Sequence, residues 1–324
     1  MKDLYERLAK VGFDAAFVRD HILPDWWDDS LGEVPANRAL AEGCISRVLG
    51  WHVRELRDAG TSLRITSVED VRLKKRTGTK PRDIAPAILL AQNAAKIVAD
   101  SLVPLAPYGG GMSAQAIREE ILRTRQFVDL DALVEFSWAH GVPVVHLLDL
   151  PRPSRRFSGL AMFAGATPVI VLASGHDSAP WLAFHLAHEL GHLFEGHVAP
   201  GKPAIAETDI DQVDDDEEER QADTFACVLL TDHPGPQLTA EFGLTAERLV
   251  SRVCALGQQH RIDPGVIALV YGRSAQRMPV AQLALKQMGL DRGAHERISE
   301  RLQKHLQEEM PEWVSRFLSL MTLA

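Results

Sequence analysis

One stretch of the sequence, 181–197 (WLAFHLAHELGHLFEGH), holds three residues whose types and spacing suit metal chemistry. His188 and His192 are four residues apart, so a helix would present both imidazoles on one face to a single ion. Glu189 would point to the side on which the ion holds a water, whose pKa the ion lowers to about 7. The pattern therefore predicts a hydrolytic zincin centre, with two histidine ligands and Glu189 as the general base.

A third protein ligand is needed to complete such a site, and the sequence offers one downstream. The metzincin pattern requires a glycine where this chain has Glu195, which excludes that class. The other zincin pattern takes a glutamate from a separate helix, often as E-x-x-x-D, whose aspartate orients a ligand imidazole. Glu219 and Asp223 fit this pattern within ERQAD, and the apolar residues that follow favour Glu219 over its fallbacks, Glu217 and Glu218.

Other residues of 181–197 have expected supporting roles. His185 precedes the first ligand by one turn, and we expect it to lie in the core or behind the ligands. His197 is expected to lie beyond the end of the helix. Gly191 lowers helix propensity between the two ligands, which predicts the close approach of another backbone at that point.

Composition restricts the class of protein. The 324 residues are 46% hydrophobic and 24% charged, with a net charge of −9, which argues against a general binder of nucleic acid or membrane surfaces. Cys44, Cys227 and Cys254 form no C-x-x-C pair and suggest a reducing compartment. No signal peptide or membrane-length apolar run is visible, so the expected location is cytoplasmic.

Hydrophobic periodicity predicts helices along most of the chain. Short apolar runs at 142–148, 158–165 and 167–174 predict strands immediately before the metal-binding helix. The expected fold is therefore α+β, mainly helical with a small mixed or antiparallel sheet beside a zincin active-site helix. Three segments are expected. Residues 1–105 would form a helical N-terminal domain that either resembles a helix-turn-helix or recognises a partner. Residues 114–235 would form a zincin-like metallopeptidase domain, and residues 236–324 a helical C-terminal region.

Three stretches resemble the ImmA/IrrE family of metallopeptidases: FHLAHELGHLFEGH, ERQADTFACVLL, and GVPVVHLLDLP followed by GLAMFAGATPVIVLAS. The resemblance covers about 115–235. It implies a gluzincin-like fold in which His188, His192 and Glu219 bind the metal and Glu189 is the general base. One departure lies beyond the ligands, where this chain has LLTDHP and the family often has LLMP.

The resemblance also implies a partner. Family members typically cut a helix-turn-helix repressor or antitoxin of the Xre type, and so relieve repression after DNA damage, during mobile-element excision or in a toxin–antitoxin pair. The expected cofactor is Zn²⁺, although two histidines and one carboxylate also accept Mn²⁺ or another divalent ion.

The expected reaction is hydrolysis of a peptide bond in a protein substrate. The strand at 167–174 is expected to be a sheet edge that binds the substrate backbone by strand addition. A group that stabilises the oxyanion is also needed, and the sequence leaves three unranked candidates, Tyr108, His233 and Tyr271.

Two alternatives to a peptidase stay open. The first is a zincin-fold sensor that binds a signal or a repressor without cutting it. The second is a DNA-binding transcriptional regulator that acts through 36–82, where Lys74, Lys75 and Arg76 form the centre of a basic stretch.

Overall fold

The fold is known from a computed structural model that describes residues 1–66, 71–74, 81–152, 154, 156–207, 216–234 and 244–322. Within these ranges the chain forms a π-helical turn at Val18–Ile22, a 3₁₀ turn at Asp29–Glu33 and fourteen α-helices. The helices are α1 Lys2–Lys10, α2 Ala15–Phe17, α3 Pro35–Leu49, α4 Val53–Arg57, α5 Pro81–Ser101, α6 Ala114–Leu122, α7 Leu130–Ala139, α8 Ala179–Phe194, α9 Glu217–Thr231, α10 Ala246–His260, α11 Pro264–Ser274, α12 Met278–Gln287, α13 Ala294–Gln303 and α14 Glu312–Thr322.

The described strands form one mixed five-stranded sheet, which confirms the expected α+β class. They are β1 Val71–Lys74, β2 Val144–His146, β3 Gly159–Ala164, β4 Thr167–Leu172 and β5 Ala204–Glu207. Their order across the sheet is β1-β5-β3-β4-β2. The central pairs, β5 with β3 and β3 with β4, are antiparallel, and the two outer pairs are parallel.

The position of β4 corrects one prediction. We expected the strand at 167–174 to be a sheet edge, but β4 lies between β3 and β2 and is hydrogen-bonded to both of them. Its residues from Pro168 to Leu172 are all buried, although successive side chains point to opposite faces. Both faces of this strand are therefore covered and both of its hydrogen-bonding edges are occupied, so a substrate strand cannot pair with it. Helices α5 and α8 are among the elements that pack against β3 and β4.

Helix α8 carries the H-E-x-x-H motif through the middle of the molecule. Fifteen of its sixteen residues are buried, which is typical of a helix enclosed on all sides. It packs against β3 and β4, and it makes its most extensive helix contact with α9. A Cβ atom on Gly191 would lie 3.0 Å from the Cα of Ala222 in α9, which confirms the predicted close approach of another backbone.

The far end of α9 is fixed by a buried arginine. Arg118 in α6 is 3% exposed and donates hydrogen bonds to the carbonyls of Leu229 and Leu230, each at 3.1 Å. Its other terminal nitrogen donates to the carbonyl of Arg261 at 2.8 Å, immediately after α10. A cation is favourable at helix C-termini, where carbonyl groups lack partners within the helix. Arg118 therefore joins the ends of two helices, one of which carries the predicted third ligand.

Replacing Arg118 with methionine should destabilise the protein by about 3 kcal/mol, because buried carbonyls would lose charge-assisted hydrogen bonds. Arg123→Met is the matched control, since Arg123 is exposed and follows the same helix. Urea unfolding midpoints of the two variants measure the difference. Equal midpoints would show that Arg118 does not fix the helix ends.

One hydrophobic core contains residues from all three predicted segments, from Leu4 through Leu186 to Met321. A second cluster joins α10, α11 and α12 around Leu249 and Ile267. Among the residues described, no helix is both long and apolar enough to span a bilayer.

Candidate metal centre

Two helices and one strand bring four potential ligands together. Helix α8 supplies His188 and His192, and the first turn of α9 supplies Glu219. Strand β5 ends at Glu207, whose carboxylate lies in the same place. One ligand atom from each of these four buried residues lies within 4.8 Å of the other three. In the described part of the chain they form the only such group of histidine, cysteine and acidic side chains.

Asp223 orients the imidazole of His188. Its carboxylate lies 3.0 Å from Nδ1 of His188, and it stands one turn after Glu219 in α9. A carboxylate is an acceptor, so Nδ1 carries a proton, which leaves Nε2 as the ring nitrogen that could bind a metal. This is the role that the E-x-x-x-D spacing predicted for Asp223.

A different pair of side chains orients His192. Its Nδ1 lies 3.0 Å from Nδ1 of His197, and Nε2 of His197 lies 2.9 Å from Oε1 of Gln221. The amide nitrogen of Gln221 donates to Glu217, which leaves Oε1 as the acceptor from His197. His197 therefore accepts the Nδ1 proton of His192, and Nε2 of His192 also presents a lone pair. His197 lies beyond the end of α8, as expected.

The arrangement fits a divalent ion. The two Nε2 atoms are 3.1 Å apart, and their lone pairs repel unless a cation or proton lies between them. Oxygens of Glu219 lie 3.4 Å from Nε2 of His188 and 3.5 Å from Nε2 of His192. Bonds of about 2.0–2.2 Å in a tetrahedral zinc site place ligand atoms about 3.3–3.5 Å apart. These three residues could therefore hold zinc without rearrangement of the backbone.

Glu189 is fully buried beside the ligands, against the backbone of β3. A Cβ atom on Gly159 would lie 2.3 Å from Oε1 of Glu189, so only glycine leaves room for the carboxylate there. Within the described part of the chain, neither oxygen of Glu189 accepts a hydrogen bond. Burial raises the pKa of Glu189 well above its usual range. A carboxyl group in this state is suited to taking up and releasing a proton.

Burial and charge act differently on the two other acidic residues. Burial raises the pKa of Glu207 to about 7, although His188 opposes the shift. Burial also disfavours ionisation of Glu219, but the adjacent imidazoles of His188 and His192 outweigh it and hold the pKa of Glu219 below its usual range. Among the imidazoles, burial lowers the pKa of His192 to about 4, which keeps it neutral and able to bind a metal.

Glu207 is the residue that sequence reasoning missed. Its Oε2 lies 2.6 Å from Nε2 of His188, closer than any atom of Glu219. The residue follows a short apolar run, Ala204–Ala206, and no fixed spacing relates it to the histidines. The apolar run bounded by Pro203 was the only local signal for this strand, and it does not indicate where the strand pairs.

The remaining candidates lie outside the group of four. His185 is buried and stacks on Trp181, and burial lowers its pKa to about 3. Tyr108 donates its hydroxyl to the carbonyl of Leu193 at 2.9 Å. Of the two other oxyanion candidates, Tyr271 is buried within the second core cluster, and His233 is exposed just after α9. The oxyanion partner stays a prediction.

The basic stretch gives no further information about DNA binding. Lys75 and Arg76, and the side chain of Lys74, lie outside the described residues. Upstream in the same segment, α3 and α4 contribute Ile45, Leu49 and Leu56 to the main hydrophobic core.

Comparison with known proteins gives a family match over part of the chain. Residues 139–253 match the model of the Peptidase_M78 family, described as the IrrE N-terminal-like domain. The matched segment contains all four converging residues, together with Glu189 and Asp223. A search of the curated proteins and a search of the solved structures gave no match.

Proposed function

Taking residues 139–253 as a metallopeptidase domain of the ImmA/IrrE type, we propose that the chain is a zinc-dependent endopeptidase that cuts a protein partner. The proposed partner is a helix-turn-helix repressor or antitoxin, and its cleavage would relieve repression. The observation that carries the proposal is the convergence of two oriented imidazoles and Glu219 beside a buried carboxylate that accepts no hydrogen bond from any described residue.

His188, His192 and Glu219 would hold the ion, with Asp223 and His197 fixing the two imidazoles. The bound ion would polarise the scissile carbonyl and acidify a water. Glu189 takes the proton of the attacking water and passes it to the leaving amine as the peptide bond breaks. Gly159 provides the space in which the Glu189 side chain lies.

The substrate backbone would lie along β3. This strand borders the carboxylate of Glu189 at Gly159, and because it is paired with β4 on one side and β5 on the other, a substrate would take the place of β5. An extended peptide adds to a sheet edge through main-chain hydrogen bonds, with little dependence on sequence. Selection of one partner would then depend on contacts elsewhere on that protein.

The direct experiment is incubation of the purified chain with the helix-turn-helix protein of an adjacent reading frame and Zn²⁺ or Mn²⁺. We expect cleavage at one bond, identified by mass spectrometry, and its loss with EDTA. Stable binding without cleavage under either metal would overturn the peptidase and favour a non-cleaving sensor. Cleavage that survives complete removal of the metal would contradict the mechanism.

Replacing Gly159 with alanine should lower the cleavage rate about 10²-fold, since the added methyl group would displace the carboxylate of Glu189. Metal binding through His188 and His192 should persist in this variant. Gly43→Ala is the matched control, because a Cβ atom on Gly43 would meet nothing within 4 Å. Single-turnover rates and metal content measure both effects. Unchanged cleavage by Gly159→Ala would show that the position of Glu189 does not depend on this glycine.

A further inference from the structure

Strand β5 lies where a substrate strand would bind. It pairs antiparallel with β3 in the register Gly159 with Glu207, Leu160 with Ala206 and Ala161 with Ile205. The backbone N–H of Ser158 also donates to the carbonyl of Glu207 at 2.7 Å. The main-chain groups of β3 that a peptide would use next to Glu189 are therefore already engaged by a segment of the same chain.

The last residue of this strand reaches the metal ligands. The side chain of Glu207 is 8% exposed, and its Oε2 lies 2.6 Å from Nε2 of His188. This is shorter than the spacing of about 3.3–3.5 Å between two ligands of one zinc ion, so the carboxylate would shift away from the imidazole when an ion binds both. An ionised carboxylate is costly to bury without a cationic partner. With Glu219 and the two histidines, Glu207 makes four donors, which is the number that a closed tetrahedral zinc site contains.

We propose that Glu207 is a fourth metal ligand, carried into the centre by a strand that occupies the substrate's place. Catalytic zinc sites keep one position open for water and substrate, whereas sites with four protein ligands are closed. The protein is therefore latent until a bound partner displaces β5, and the departure of this strand opens both the ion and the edge of β3. This inference rests on the proposed function, because latency has meaning only for a peptidase.

The contacts of β1 identify what holds β5 in place. Strand β1 covers the other edge of β5 in a parallel pair. From β1, Arg72 donates hydrogen bonds to the carboxylate of Glu218 at 2.5 Å and to the carbonyl of His197 at 2.5 Å, so it connects the strand pair to the first turn of α9 and to the segment that follows α8. A partner that displaced β1 would leave β5 held in the sheet by its pairing with β3 alone.

The test uses the full chain loaded with Co²⁺ in place of zinc. The visible absorption of Co²⁺ reports its coordination number. Acetohydroxamate serves as the probe, because it binds a metal only at an open position. We expect the wild-type spectrum to be unaffected by the probe and the Glu207→Gln spectrum to change on its addition. Loss of one ligand should also weaken Zn²⁺ binding at least about tenfold by calorimetry.

Two further variants complete the design. Glu195→Gln removes an exposed carboxylate at the end of α8 and should behave as wild type. Glu207→Asp keeps the charge but shortens the side chain, so it should also admit the probe. Circular dichroism checks that each variant folds, and Glu207→Asp carries the test if Glu207→Gln does not.

The outcomes separate the inference from the function on which it rests. If the wild-type spectrum responds to acetohydroxamate as the spectra of the Glu207 variants do, Glu207 is not a fourth metal ligand. If Glu207→Gln opens the ion but no variant cleaves the partner protein, the ligand assignment holds and the peptidase fails. Faster cleavage by Glu207→Gln than by wild type is the result expected when both are correct.

Discussion

Glu189→Gln should lower the rate of cleavage by at least about 10³-fold while leaving the metal bound. The amide has nearly the shape of the carboxylate, so it fits the space beside Gly159, but it cannot accept the proton of the attacking water. His188, His192 and Glu219 are untouched by this change. Mass spectrometry measures whether the metal stays bound, and single-turnover cleavage of the partner protein measures the loss of rate.

The matched control for this variant is Glu195→Gln, which makes the same change on an exposed residue six positions later in the chain. It should cleave as wild type does. Full activity in Glu189→Gln would contradict a general-base role for this residue. Loss of the metal in the same variant would place Glu189 among the ligands.

Local periodicity explains why the α8 part of the centre could be predicted from the sequence. The spacing of His188 and His192 fixes their common face once a helix forms, and the apolar residues around them predict a buried helix. Glu219 required a second pattern, because its position depends on how α9 crosses α8. The glycine at 191 gave an independent indication of that crossing, which the short distance to Ala222 confirms.

The pairing of strands could not be predicted in the same way. A strand's neighbours depend on the global topology, and both β1 and β5 are only four residues long, too short to mark a strand in the sequence even though β1 alternates apolar and charged residues. Charged residues such as Arg72 made β1 resemble a solvated loop. Without the pairing of β5 to β3, nothing relates Glu207 to the histidines.

The error over β4 had a signal in the sequence. Its central residues, Val169 to Leu172, form a continuous apolar run, which is typical of a strand buried on both faces rather than of an exposed edge. The run in β3, from Leu160 to Ala164, is equally continuous. Both patterns are typical of interior strands, which β3 and β4 are, and neither pattern indicates which of the two borders Glu189.

Removal of one ligand should also be visible in thermal stability. A divalent ion that binds the folded state but not the unfolded chain stabilises the fold by about 4 kcal/mol at a thousandfold excess over its Kd, equivalent to a rise in Tm on the order of 5 °C. Part of this gain would be electrostatic, because a bound ion would compensate the charge of the buried carboxylates of Glu207 and Glu219. We expect the rise in wild type and its loss in Glu219→Gln, which cannot offer a charged oxygen.

Glu217→Gln is the matched control, since Glu217 lies in the same first turn of α9 but is exposed and pairs with Arg220. Its Tm should rise with Zn²⁺ as that of wild type does, and scanning calorimetry with and without the ion gives both values. If Glu217→Gln lost the rise and Glu219→Gln kept it, the third ligand would be Glu217. Because α9 buries Glu219 beside the histidines and turns Glu217 toward solvent, the structure predicts the opposite result.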